Sequence, residues 1–471
     1  MKKTFMLFWV AMLSISMAYA DGYDSFYKNL PVNLPVVSAP VIPDNSVNIK
    51  DFGGVGDGQT INTQAFKKAI SALEKLGGGH LVVPEGIWMT GMISLKDNID
   101  LHIEKNAIVM ASPDKNLFIK EKDGKKDSKC TPMISASKRK NVSITGEGAI
   151  DGNGAYWRPV KRSKVSDVEW KEFLYMGGTE AEGGQLWFPF NLKHFENVAG
   201  DPEAQEKMRT HLIRITDCEN VLVKGVTIQN SPKFHLIPTR CKNVIVDGVT
   251  IRCPWNAQNG DALDISSCKN VLIVNNTIDA GDDGICMKGG AGEAGVKYGP
   301  CENILIQDNV VYHAHGGFVI GSEFSGGMKN IVVRNNRFSG TDTGLRFKSG
   351  IGRGGKTDGI YISDIVMTDI KDEAIVFDCT YVDKKYSVKG DDGKKSAVVK
   401  DAPFAPEFCD IHISNVTCYN VKTAVSVTGL PGMNCVHDVT IDNSTFFYTK
   451  KDKSFVDNAE ITITNSKFAT F

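Results

Sequence analysis

The feature that most limits what this chain can become is a repeat. The segments CENVLVKGVTI from Cys218, CKNVIVDGVTI from Cys241, CKNVLIVNNTI from Cys268, CENILIQDNVV from Cys301 and MKNIVVRNNRF from Met328 share one pattern. Weaker copies begin near Asn141, Asp358, Asp410 and Asp438, and the spacing is mostly 23 to 33 residues. Within each copy apolar and polar residues alternate, the period of a strand. Val221 and Val223 point to one side, Leu222 and Lys224 to the other. A glycine or asparagine then turns the chain into a second short strand. A unit this small cannot bury its apolar face alone, but stacked coils form one continuous core. The prediction is all-β: a right-handed parallel β-helix. A propeller blade needs about 40 or more residues, and a sandwich has no reason to repeat in this way.

Two side-chain stacks follow from the alignment. Cys218, Cys241, Cys268 and Cys301 recur in one phase, as small buried hydrophobes; disulfides between rungs are the alternative, because adjacent strands lie about 4.8 Å apart. Asn276, Asn309 and Asn336 share another phase and predict an amide ladder at a bend. Both sets read as architecture. The ends differ. Residues 46–115 form an N-terminal cap region, where Phe66, Ala69, Ile70, Leu73 and Leu76 have helical spacing. Asn62 or Thr63 is the expected N-cap, and Gly77-Gly78-Gly79 stops the helix. Residues 152–208 break the repeat, with a capping-box pattern at Ser166–Glu169 and the aromatics Trp157, Trp170, Trp187 and Phe188. This insertion is expected near the cleft as a lid or wall. A second long, lysine-rich loop covers 381–403.

Residues 1–20 read as a signal peptide: Lys2 and Lys3, an apolar stretch from Phe5 to Leu13, then Ala18-Tyr19-Ala20. The stretch is too short to span a bilayer comfortably, and no other segment qualifies. The expected location is periplasmic or extracellular, with residues 21–471 as a single catalytic domain and a monomer. The chain has 471 residues, of which 42% are hydrophobic and 23% charged, enough apolar surface for one long core. A formal net charge of −1 argues against a general nucleic-acid binder.

Chemistry gathers in four consecutive coils. Asp261 and Asp264 lie in NGDALD, Asp282 and Asp283 in GDDG, His315 in HAHGG, and Arg346 and Lys348 in LRFKSG. A coil advances one strand spacing, so these groups form a short column on one outer face. Glycosidic cleavage uses one carboxylic acid to protonate the leaving oxygen and another carboxylate to attack or to activate water. Crowded carboxylates raise the pKa of one of them, which creates the acid. Asp282 and Asp283 would face opposite ways in a straight strand, a constraint that Gly281 and Gly284 relax. Arg346 and Lys348 share a face while Leu345 and Phe347 pack inward, and two cations beside acids suggest an anionic sugar such as a uronate. Lys288 and Arg353 add to this set. No metal and no cofactor is expected.

These residues resemble the polygalacturonase family of pectin-degrading glycoside hydrolases, family 28, whose motifs run N-T-D, D-D, G-H-G and R-I-K. The counterparts are Asn259-Gly260-Asp261, Asp282-Asp283, Ala314-His315-Gly316 and Arg346-Phe347-Lys348. DFGGVGDG from Asp51, IDGNG from Ile150 and NSP from Asn230 fit as well. The resemblance implies an inverting hydrolase of α-1,4-galacturonosyl linkages in pectic polysaccharide. It makes Asp282 the general acid and has Asp261 and Asp283 hold and deprotonate water. His315 then supports the acid, while Arg346 and Lys348 bind the substrate carboxylate. Tyr381 in FDCTY is the counterpart of a family tyrosine after R-I-K. Gly260, Ala262, Gly284 and Ala314 depart from the motifs without removing a titrating group. The two long excursions favour action at chain ends. Two enzymatic alternatives stay open: a hydrolase of decorated pectin (rhamnogalacturonan or xylogalacturonan), and a pectate lyase holding Ca²⁺ on Asp261, Asp282 and Asp283. A glycan-binding adhesin is the non-enzymatic one.

Overall fold

The computed structural model describes residues 22–122, 125–189, 206–381, 387–389, 395–397, 403–449 and 454–470. The signal-peptide stretch, residues 190–205 of the insertion and most of the 381–403 loop lie outside them. The chain winds into a right-handed parallel β-helix with three strands to a typical coil, such as Glu219–Lys224, Thr227–Gln229 and Leu236–Thr239. Each strand pairs in parallel with its counterpart one coil on, giving three sheets. In the first sheet Val221, Val244, Val271, Ile304, Ile331 and Ile360 stack in register. In the third sheet, Leu236, Leu263, Ile285, Phe318, Leu345 and Ile375 do so. All of these are buried, each contributing about 1.5–3 kcal/mol of transfer free energy.

The asparagines of the repeat have a physical reason. Asn98, Asn141, Asn220, Asn243, Asn270, Asn303 and Asn330 all adopt positive φ, which asparagine tolerates better than most residues. Their amides then chain from coil to coil at 2.8–3.1 Å. The ladder expected at Asn276, Asn309 and Asn336 forms inside the core. There Asn309 donates to Asn336 Oδ1 at 2.9 Å and to the Ile273 carbonyl at 3.0 Å, and accepts from the Asn276 amide at 2.8 Å. The cysteine stack is buried as expected, and all eleven cysteines are free thiols, so the disulfide alternative is not realised.

Helix α1, Thr63–Lys75, caps the N-terminal end with Phe66, Ala69, Ile70 and Leu73 buried. Asn62 sits at its N-cap position without capping it. Its side chain instead bonds both Val55 N and Val55 O, closing the loop before the helix. Helix α2, Asp167–Tyr175, has the predicted capping box between Ser166 and Glu169. It packs on a small antiparallel sheet through Val160, Val165, Trp170 and Trp187, so the insertion has its own apolar cluster. The lysine-rich loop contains an antiparallel hairpin, Ser387–Lys389 with Lys395–Ala397. The segment from Tyr23 onward lies over the outer face of the first sheet. There Tyr23, Leu34 and Val37 cover Ile245, Leu272, Leu305 and Val332. Among the described residues no helix is long and apolar enough to cross a membrane.

Candidate active site

The site lies where the second sheet hands over to the third. Extending the third-sheet register two residues back aligns Asp261, Asp283, Gly316, Thr343 and Glu373 in one column, with Asp282, His315, Asp342 and Asp372 beside it. Backbone bonds stitch the columns across coils: Ala262 N to Asp283 O at 2.9 Å, His315 N to Asp282 O at 2.8 Å and Asp342 N to Ala314 O at 2.8 Å. Asp282 and Asp283 precede the strand Ile285–Lys288 rather than lying in it, so alternation does not separate them. Their carboxylates and the His315 ring fall within one small cluster. Gly316 belongs to the fold as much as to the motif. A Cβ there would come within 2.6 Å of Val319 Cγ2 and 3.2 Å of Arg346 Cβ.

His315 Nδ1 lies 3.0 Å from Asp282 Oδ1. Asp283, 1% exposed, accepts from Lys348 Nζ at 2.8 and 3.1 Å, with Arg346 Nη1 at 3.5 Å. Lys288 is held between Asp264 at 3.5 Å and Asp261 at 3.8 Å. Its side chain is 17% exposed, so the expected role as a substrate ligand stands beside this pairing with two acids. Arg353 stands farther along, on Ser322 Oγ at 3.0 Å and Glu323 at 3.3 Å, over the ring of the exposed Tyr381. Every site residue expected from the sequence reaches this one outer face, with Arg353 and Tyr381 at its edge.

With this arrangement in view, the comparisons with known proteins are decisive. Residues 179–466 match the family model "Glycosyl hydrolases family 28". The chain belongs to that family. It is 28% identical over 415 residues to a probable polygalacturonase of Vitis vinifera, covering 84% of this chain and 74% of that protein. It is 27% identical over 435 residues to the exo-poly-alpha-D-galacturonosidase of Dickeya chrysanthemi, covering 88% and 69%. The solved exopolygalacturonase of Thermotoga maritima superposes with a TM-score of 0.74 at 31% identity, covering 92% of this chain and 94% of that one. This family 28 chain is a polygalacturonase-type glycoside hydrolase.

The family 28 site is electrostatically divided. Burial, reinforced by Asp264, pushes the Asp261 carboxyl well above its usual range. Burial also pushes Asp264 up, to about 6, although Lys288 opposes it. At Asp283 burial acts the same way but Lys348, Lys288 and Arg346 outweigh it, holding the carboxyl well below the usual range. At Asp282 the His315 hydrogen bond, with help from Lys348, likewise outweighs burial and lowers the pKa. The surroundings therefore favour the neutral form at Asp261 and the ionised form at Asp282, the acid that the motif comparison indicates.

Several contributors escaped the sequence reading. Lys164, from the insertion, lies 2.7 Å from His315 Nε2. Asp342 Oδ2 lies 3.7 Å from the same nitrogen. Asp342 was findable, since it follows His315 at the spacing by which Asn336 follows Asn309; Lys164 sits outside any repeat and was not. His235 is fully buried, where burial lowers its pKa to about 4. Its Nδ1 bonds the Asp261 carbonyl at 2.9 Å. Arg209 holds the Asn259 side chain at 2.9 Å, so the asparagine of the first motif serves the loop rather than the cleft. Gly260, where the family has threonine, is already within 3.0 Å of Ala257 at the position of a Cβ.

Proposed function

We propose that this enzyme is an exported, inverting hydrolase that removes galacturonate units from the ends of α-1,4-linked galacturonan. The observation that carries the reading is the division of labour between neighbouring acids. Asp282 is paired with an imidazole. Asp283, a residue away, is locked to an ammonium and faces a guanidinium. In this reading Asp282 protonates the glycosidic oxygen as it leaves. Asp283, kept ionised by Lys348, accepts the proton of the attacking water, and Asp261 helps to hold that water by a hydrogen bond. Proton loss to so weak a base comes late, which suits an oxocarbenium-like transition state. A polyanionic substrate itself completes the acid: galacturonate carboxylates entering beside Asp282 add like charge and exclude water, and both raise its pKa. His315 orients Asp282. The outward edges of Arg346 and Lys348 meet the substrate carboxylate, and Tyr381 with Arg353 line the rim.

Action at chain ends has two supports. Lys164 brings the insertion against His315, walling one side of the cleft. Beyond His315 and Arg346, the cavity of about 400 Å³ they line is bounded by Asp342, Asp372, Glu373 and Asp378, acids that disfavour a polyanion continuing past Arg346. The same wall suits a neutral sugar, which keeps decorated pectin as the second reading. A calcium-dependent lyase is disfavoured by the cationic surroundings of Asp283, with Lys348 at 2.8 Å and Arg346 at 3.5 Å opposing a divalent cation beside it. The columns are complete within one chain, consistent with a monomer. The test is digestion of polygalacturonate in the presence of EDTA, with products followed by chromatography and mass detection. Saturated monomer from the earliest times supports the proposal. A ladder of saturated oligomers refutes end-wise action, and unsaturated products refute hydrolysis.

A further inference from the structure

Away from the catalytic face, the last coils bring together three side chains with ligating atoms. Glu407 and Cys409 lead into the strand Ile411–Thr428, and His437 leads into Val439–Asp442. Ile411 pairs with Val439 in parallel, which sets Cys409 and His437 at the same position of adjacent coils. Phe408 and Val436 turn inward and are fully buried. Glu407 and Cys409 therefore share the opposite side, where they meet His437. Glu407 Oε1 lies 3.6 Å from Cys409 Sγ and 3.4 Å from His437 Nε2. All three ligating atoms lie within 4.8 Å of one another.

These separations have a chemical meaning. A tetrahedral zinc ion takes sulfur at about 2.3 Å and nitrogen or oxygen at about 2.0–2.2 Å. Ligands at those radii and tetrahedral angles stand about 3.3–3.6 Å apart, which matches the two separations from Glu407, and the third pair, Cys409 Sγ and His437 Nε2, lies within 4.8 Å. The orientation of the imidazole is a second, independent indication. Its Nδ1 is 2.7 Å from Asp438 Oδ2 while Nε2 faces Glu407. Metal-bound histidines nearly always give their other nitrogen to a carboxylate in this way, which fixes the tautomer. Access is adequate: Cys409 is buried, but the His437 side chain is 20% and that of Glu407 38% exposed. Two contacts must yield. Lys356 Nζ sits 2.8 Å from Glu407 Oε1, on a side chain that is 61% exposed and free to swing outward. The Cys409 thiol donates to the Thr357 carbonyl at 3.2 Å, and that bond is lost when the thiol gives up its proton.

We propose that Glu407, Cys409 and His437 form a zinc-type metal site, with Asp438 orienting the histidine and a water in the fourth position. The binding step exchanges the thiol proton for the metal ion, with no change of oxidation state. The site joins two coils directly after the long 381–403 excursion. It is independent of the glycosidase reading.

The test uses the mature full-length protein, stripped with chelator and dialysed against Zn²⁺ or Co²⁺. Metal content is measured by mass spectrometry, and Co²⁺ additionally reports thiolate ligation by its near-ultraviolet charge-transfer absorption. The expected result is one ion per chain, a thiolate–cobalt band and a raised thermal midpoint. His437→Gln and Cys409→Ser should abolish binding, and Asp438→Asn should weaken it about 10–100-fold. Asp282→Asn should leave both binding and the band intact, which separates this site from the Asp282–Asp283–His315 cluster. Because the cobalt band is read on the unaltered protein, poor folding of a variant does not blunt the test. A chain that retains no metal overturns the proposal. So does one that retains it without the thiolate band, or with the band surviving His437→Gln.

Discussion

Replacing Lys348 by methionine removes the ammonium that holds Asp283 and leaves its carboxylate 1% exposed, with Arg346 at 3.5 Å, the Cys286 thiol at 3.7 Å and the field of Lys288. Breaking a buried ion pair by deleting one partner costs about 3–5 kcal/mol, because the remaining charge stays buried. Methionine fills most of the lysine's volume, and Arg346 still offers partial compensation, so the lower end, about 3 kcal/mol at pH 7, is expected. With a urea m-value near 3 kcal/mol/M for a large chain, the midpoint falls by about 1 M. The loss also has a pH signature. The folded-state pKa of Asp283 is depressed, so its contribution to stability is present above the ordinary carboxylate value of about 4 and is lost as pH falls through the folded value. The gap between native protein and variant should therefore be widest at neutral pH and narrow towards about pH 3. Urea titrations followed by tryptophan fluorescence at several pH values measure this. Lys371→Met is the control: its pair with Asp342 at 2.8 Å is exposed and should be worth less than about 1 kcal/mol. A Lys348→Met penalty as small as the control's, or one that does not shrink in acid, would refute the idea that Asp283 is kept ionised by its buried partner.

Asp282→Asn should lower kcat about 10²–10⁴-fold with KM little changed, as measured by reducing-sugar release from polygalacturonate. Lys348→Met should move the acidic limb of kcat/KM to higher pH, since the pKa of Asp283 rises when the ammonium is lost; a pH–rate profile on short oligogalacturonides reads the shift. Trp170→Ala removes the largest side chain of the insertion's own cluster, about 3–5 kcal/mol of local packing. Loosening the wall that carries Lys164 should bring saturated oligomers into the early products, seen by chromatography. Asn309→Leu takes the acceptor from the Asn276 backbone N–H and from one of its side-chain N–H groups inside the core, at about 1–3 kcal/mol for each unmet group. Its thermal midpoint should fall while kcat at room temperature is retained.

Periodicity made the fold readable, because a stacked coil must repeat its inward residues and its bend residues together. Val221 and Val244 show the first requirement; Asn220 and Asn243, at positive φ, show the second. The same logic exposed the column of acids and bases, since polar groups in phase across coils must share a face. What stayed hidden lies off the period. Lys164 reaches His315 from an insertion whose path no repeat dictates. The covering segment from Tyr23 to Val37 was missed although Ile245, Leu272, Leu305 and Val332 had left a sign, being apolar at outward positions where a solvated face needs none. The pairing of Lys288 with Asp261 and Asp264 was also hidden, because charge type is visible in a sequence and burial between two acids is not. The opposite shifts of Asp261 and Asp283 were also beyond sequence, since the two differ chiefly in which cation is nearer.

The central claim is hydrolysis with inversion, driven by Asp282 on one side and by water held at Asp261 and Asp283 on the other. Proton NMR of the first galacturonate released from an α-linked oligogalacturonide, recorded before mutarotation, tests it most directly. The account predicts the saturated β-anomer as the initial product. An initial α-anomer would contradict the assigned water chemistry, and a 4,5-unsaturated product would contradict hydrolysis itself.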